Sequence, residues 1–239
     1  MLVHPSAGGL DSFDPIVPLL SGFELWVYAR RGYAPSDGAE RPKTFADEVA
    51  DLRVVLAAVG GRADVLGASY GATVALHTAR TDGRPFRSLV LFEPPLFSAG
   101  AALRDVLERY RSCLEQGALA AAARVFAAEV ARVPAPLLDA LANADDDGTA
   151  DRAEAVACLR DLEAMTADEA DLGRWAKVDV PTLLIQGSNT WAPMPATMDA
   201  LAAVLPRLTR KVLAGQAHFA THTAPALFAE SVATFLATT

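Results

Sequence analysis

Along the first hundred residues, short β-branched and aromatic runs alternate with amphipathic stretches. MLVH at 1–4, FELWVY at 23–28, ADVLG at 63–67 and SLVLF at 88–92 read as buried strands. FADEVADLRVVLAAV at 45–59 places Phe45, Val49, Leu52, Leu56 and Val59 on one helical face, with Asp47, Glu48 and Asp51 opposite. YGATVALHTAR at 70–80 predicts a second helix straight after the third strand. Strands and helices in alternation over these lengths predict a parallel sheet covered on both faces.

From about residue 97 the pattern changes. ALRDVLERYRSCLEQG, LAAAARVFAAEVARV, PAPLLDALA and RAEAVACLRDLEAM read as helices with no convincing strand between them, and NADDDGTAD at 143–151 reads as a polar turn. After Trp175 the strands return: VPTLLIQG, a helix TMDALAAVL, a strand RLTRKVLAG and a last helix APALFAESVATFLAT. The expected organisation is an α/β core of residues 1–96 and 177–239, interrupted by a helical cap at 97–176.

Composition narrows the function classes. With 239 residues, 52% of them apolar, the chain has material for a core without staples. A net charge of −8 argues against a nucleic-acid or anionic-membrane partner. No run reaches the ~18 apolar residues of a membrane span, and MLVHPSAGGL lacks the features of a secretory signal, so a cytoplasmic protein is expected. Cys113 and Cys158 stand apart in helical stretches and read as reduced, buried thiols. No phosphate loop or cluster of metal-type ligands stands out, and no cofactor is expected.

The chemistry is carried by VLGASYGATVAL, where Gly67-Ala68-Ser69-Tyr70-Gly71 joins a strand to a helix as G-x-S-x-G. At such a turn the serine takes a strained backbone, small neighbours keep strand and helix from colliding, and the hydroxyl is exposed over the helix amino end. A glycine-rich turn with an incidental serine is the rival reading, and the strand-then-helix context disfavours it. The hydroxyl needs a base. Of four histidines, His77 lies two turns into the helix and reads as packed or solvent-facing, while His4 and His222 lack a supporting context. His218, in VLAGQAHFATH after the last strand, can reach over the carboxyl edge of the sheet. The oxyanion donors are expected to be the backbone N–H of Tyr70 and, from the loop His4-Pro5-Ser6-Ala7-Gly8-Gly9, that of Ser6. Pro5 has no N–H to offer.

These residues carry a resemblance. LVHPSAGG, YARRGYAPSD, LGASYGATVAL, LVLFEPP, VPTLLIQG and AGQAHF follow, in order, the motifs of the α/β-hydrolase fold superfamily, and the chain resembles its capped bacterial members over nearly its whole length. The resemblance implies an α/β-hydrolase fold, a Ser69–His218 pair and a cap that contributes specificity. It also implies an acid in the loop after PTLLIQG. That loop reads Gly187-Ser188-Asn189-Thr190, with Thr190 in the expected aspartate's place, just as Ala29 replaces the aspartate of the turn before YAPSD. Glu93 closes the preceding strand in SLVLFEPP, another position where the family can place its acid. Two readings of Glu93 stand open, as triad acid or as an anchor for the start of the cap. No counterpart of the family's usual first two strands is visible in the sequence, and their absence would leave FELWVY as an uncovered sheet edge. Either the edge pairs with another subunit, something covers it, or the chain begins late; a homodimer through that edge is the expectation.

Phe97, Trp191, Met194 and His4 are candidates to line an apolar substrate pocket. The expected activity is cofactor-independent serine hydrolysis of an ester, thioester or lactone of a small molecule. The alternatives are a non-hydrolytic step such as C–C cleavage or cyclisation, and a binding protein with a decayed triad.

Overall fold

The computed structural model describes residues 1–144 and 151–239, with side chains described up to residue 140 and from 151 onward. Most of the polar turn expected at 143–151 lies outside the described residues. The described strands form one parallel sheet in the order β1 (Leu2–Val3), β2 (Ala63–Ala68), β3 (Phe86–Phe92), β4 (Thr182–Gly187) and β5 (Leu208–Leu213). Between them run α1 (Phe45–Ala58), α2 (Tyr70–Thr81) and, after β3, a helical block. That block holds α3 (Arg104–Glu115), α4 (Leu119–Val125) with a π turn at Phe126–Val130, α5 (Ala135–Ala144) and α6 (Arg152–Ala167). α7 (Met194–Val204), α8 (Ala220–Thr223) and α9 (Pro225–Leu236) complete the chain.

The strand interiors alternate in the way a sheet buried on both faces requires. Val65, Leu89, Leu91 and Leu184 face one core with α1, α2 and residues of the helical block such as Leu107, Tyr110 and Leu162. Leu66, Ala68, Val90, Phe92, Leu183 and Ile185 face the other, against Phe228 and Val232 of α9. The helical block therefore shares a hydrophobic core with the sheet. α1 starts at a capping box in which Thr44 and Asp47 satisfy each other's backbone N–H groups.

Two expectations need correction. FELWVY does not form a strand: the segment touches the sheet through a single bridge, Leu2 to Val27, with the Leu2 N–H donating to Trp26 O at 2.8 Å. β1 is only two residues long, which leaves a neighbour little ladder to pair with. Phe23 and Trp26 are left 38% and 47% exposed beside it. The second correction is Glu48, expected on the solvent face of α1 and found fully buried.

The register brings the carboxyl ends of β2, β3 and β4 level. Ala68 pairs with Phe92 and Phe92 with Ile185, so Ser69, Glu93 and the loop after Gly187 leave the sheet side by side. β5 ends opposite Gly187, and the loop carrying His218 follows. Among the described residues, no helix is long and apolar enough to cross a membrane.

Candidate active site

Ser69 stands between β2 and α2 with φ 51° and ψ −120°, a backbone conformation costing a non-glycine residue about 1–3 kcal/mol. Its N–H donates to Phe92 O at 2.8 Å, and its hydroxyl makes no capping bond to the helix it starts. The flanking glycines are sterically required. A Cβ on Gly67 would collide with the Gly71 carbonyl and Ala72, and one on Gly71 with the Val3 and His4 carbonyl oxygens. The second collision shows how closely α2 approaches the loop after β1.

His218 Nε2 lies 3.2 Å from Ser69 Oγ, and its Nδ1 lies 2.6 Å from Glu93 Oε2. An ionised carboxylate can only accept. The tautomer that satisfies this contact has its proton on Nδ1, whose N–H donates a hydrogen bond to Glu93 and leaves the Nε2 lone pair facing the serine hydroxyl. Glu93 is fully buried, and its other partners are donors too: Gly187 N–H at 2.8 Å to Oε1 and Thr190 Oγ1 at 3.1 Å to Oε2. Thr190, at the position where an acid was expected from the resemblance, thus hydrogen-bonds the Glu93 carboxylate. Glu93 makes these contacts to the β4 loop and the histidine; none of them goes to the helical block. The His218 ring is flanked by Phe92, stacked at 5.8 Å, and by Trp191, edge-on at 5.8 Å.

Behind the loop after β1 lies a buried cluster of charges that the sequence pattern did not reveal. Arg30, Lys43, Glu48 and Asp161 have no exposed side-chain surface, and they pair two cations with two anions. Arg30 donates to Glu48 at 2.7 Å and to both Asp161 oxygens at 3.0 and 2.9 Å. Burial pushes the Asp161 carboxyl up, but Arg30 and Lys43 outweigh it and hold the group well below the usual carboxylate range. Removing one member of such a cluster leaves a buried charge unpaired, at a cost of about 3–5 kcal/mol.

The remaining expected residues divide. Tyr70 is buried at the start of α2, and Ser6 is half-buried, with its hydroxyl donating to Asp161 Oδ2 at 2.6 Å. Among the described residues, no backbone acceptor pairs with the N–H of Tyr70 or of Ser6. Trp191 lies beside His218 and donates from Nε1 to Ala131 O at 2.9 Å, tying the carboxyl edge of the sheet to the helical block. Phe97 is half-buried against the core. His4 and Met194 are both buried. His4 is fully buried and its ring is fully engaged, with Nε2 accepting the Arg30 N–H at 3.0 Å and Nδ1 donating to Pro5 O at 2.8 Å. Burial, followed by the Arg30 charge, lowers its pKa to about 3, so the ring is neutral. Met194 is buried in the core at the start of α7. Phe219, which sequence reasoning passed over, is 37% exposed and 6.1 Å from the rings of both His218 and Trp191. Its signal was its place next to His218. His77 stacks on Phe45 and meets Asp168, away from Ser69. Among the described residues, no group of three or more His, Cys, Asp or Glu side chains could hold a metal ion.

A parallel sheet with a serine elbow at its carboxyl edge defines the class, a protein of hydrolase architecture. More particularly, the model of the alpha/beta hydrolase family matches residues 1–231, and the chain belongs to that family. Among solved structures it is similar to an alpha/beta hydrolase from Sphaerobacter thermophilus DSM 20745, at 28% identity and a TM-score of 0.81, covering 98% of this chain and 91% of that one. It is also similar to the enol-lactonase from Burkholderia xenovorans LB400, at 20% identity and a TM-score of 0.75 over 99% of this chain and 90% of that one. A thermophilic esterase from Thermogutta terrifontis shares 17% identity, with a TM-score of 0.77 over 99% and 88%. A search of curated proteins finds no match.

Proposed function

We propose that this chain is a cofactor-independent serine hydrolase that cleaves an ester, thioester or lactone of a small, apolar molecule. The reading rests on one observation: His218 stands between Ser69 Oγ and Glu93, at 3.2 and 2.6 Å. Ser69 Oγ attacks the carbonyl carbon as His218 Nε2 takes its proton. The C–O or C–S bond to the leaving group breaks as the imidazolium returns that proton to the departing atom. Water, activated by the same nitrogen, then releases the acyl group from Ser69. Glu93 holds the tautomer and balances the imidazolium charge. The N–H groups of Tyr70 and Ser6 receive the oxyanion. Trp191 and Phe219, beside the His218 ring, give the site its apolar character.

Turnover of p-nitrophenyl esters of short and medium acyl chains tests this. Wild type should hydrolyse at least one of them, and Ser69→Ala should lose about 10³-fold or more in kcat while remaining folded. Equal turnover by the two proteins would overturn the reading.

A further inference from the structure

We propose that the buried charge cluster is a positioning device for the oxyanion loop, and that Asp161 of α6, a residue of the helical block, is its keystone. The inference rests on the serine-hydrolase reading and deepens it.

The loop His4–Ala7 is gripped at every residue. Arg30 Nε donates to His4 O at 3.0 Å and Arg30 Nη2 to Pro5 O at 3.1 Å. Ser6 Oγ donates to Asp161 Oδ2 at 2.6 Å, and the Ala7 N–H donates to Tyr33 Oη at 3.3 Å. Tyr33 Oη itself donates to Asp161 Oδ2 at 2.7 Å. Ala7 sits at φ 50°, a left-handed conformation that a free alanine seldom adopts. Four residues of loop are thus tied to one guanidinium, one phenol and one carboxylate.

The geometry of the peptide unit gives that grip a direction. In a trans peptide the C=O and the N–H of one unit point opposite ways. The Pro5 carbonyl accepts from Arg30 and from His4 Nδ1, so the Ser6 N–H of the same unit points away from Arg30. The preceding His4–Pro5 unit has no N–H, so Ser6 carries the first donor the loop can offer. The same group also touches the side chain of the residue that carries the other expected donor: the Arg30 guanidinium lies over the Tyr70 ring at 4.4 Å. Arg30 therefore contacts both halves of the oxyanion site. Asp161 fixes Arg30 through both terminal guanidinium nitrogens, Nη1 and Nη2, and Lys43 Nζ is 2.6 Å from Asp161 Oδ1. A buried ion cluster is weak evidence for stability, because well-packed apolar residues can serve as well. Its bonds to the loop are something apolar residues could not supply.

The device predicts that the helical block does more than shape substrate: its carboxylate tunes the transition state. Ser6→Ala removes one loop bond and no charge, and keeps the backbone N–H. It should lower kcat for an ester substrate about 10-fold with KM within about twofold. Asp161→Asn should lower kcat about 100-fold. Both should weaken binding of an aryl trifluoromethyl ketone, whose hemiketal oxyanion needs the same donors, in proportion to kcat. A merely structural role would change thermal stability without that proportionality. If wild type hydrolyses esters and both folded variants keep wild-type kcat and ketone affinity, the positioning role is overturned. Should Asp161→Asn not fold, Ser6→Ala decides on the same two readouts. If wild type neither hydrolyses esters nor binds the ketone at Ser69, the hydrolase reading fails, and the positioning role falls with it.

Discussion

Glu93 adopts φ 43°, a left-handed backbone that costs a non-glycine residue about 1–3 kcal/mol, at the point where β3 ends. The strain is matched by three donors on its carboxylate, from His218, Gly187 and Thr190. The resemblance implies an acid at position 190, where Thr190 stands. The two positions are close enough to exchange roles, since Thr190 Oγ1 is 3.1 Å from Glu93 Oε2. In a Glu93→Gln background, Thr190→Asp is therefore expected to restore ester turnover at least about 10-fold over the single variant. No gain in the folded double variant would mean that a carboxylate at 190 cannot address Nδ1.

At the scale of elements, what was legible in the sequence was local. β2, α2, β3, β4 and β5 announce themselves through apolar runs and glycine punctuation, and Gly67 and Gly71 flag the elbow because the backbones there touch. The Ser69–His218 pair was implied by the family resemblance, and Glu93 as its acid was one of two readings the sequence left open; the contacts among the three side chains are seen only in three dimensions. FELWVY misled because its apolar pattern has no full-length strand beside it to pair with. Glu48 misled for another reason: a helical-face pattern assigns any glutamate to water, and its burial is explained by cations at 30 and 43. The cluster's fourth member, Asp161, is 131 residues from Arg30, beyond the reach of any periodicity. The burial of His4 and Met194 was not legible, because a position near the sheet's edge does not say whether a side chain turns outward or into the core.

For the whole molecule, the buried imidazole of His4 links stability to pH. Its pKa falls from 6.5 to about 3 on folding, so between those values the unfolded chain binds a proton that the native state refuses. Stability should drop as pH falls below 6.5, by up to about 1.4 kcal/mol per pH unit from this residue. Asp161, held below its ordinary value, adds a loss of the same sign in stronger acid. Urea midpoints at pH 7, 5 and 4 check this, and an unchanged midpoint would refute it. The exposed Phe23 and Trp26 beside the β1 edge support a second whole-molecule proposal, self-association of two copies there. Light scattering at rising concentration should show a dimer that Trp26→Glu dissolves; a monomer throughout would refute it.

In the proposed mechanism, a carboxylate from the end of β3 activates Ser69 through His218. The rate at which a fluorophosphonate labels Ser69, located by peptide mass spectrometry in wild type and in Glu93→Gln, tests that dependence directly. Labelling of Ser69 in wild type, slowed about 10³-fold or more in the variant, is the predicted result. Labelling at the same rate in both proteins, or none in folded wild type, would contradict it.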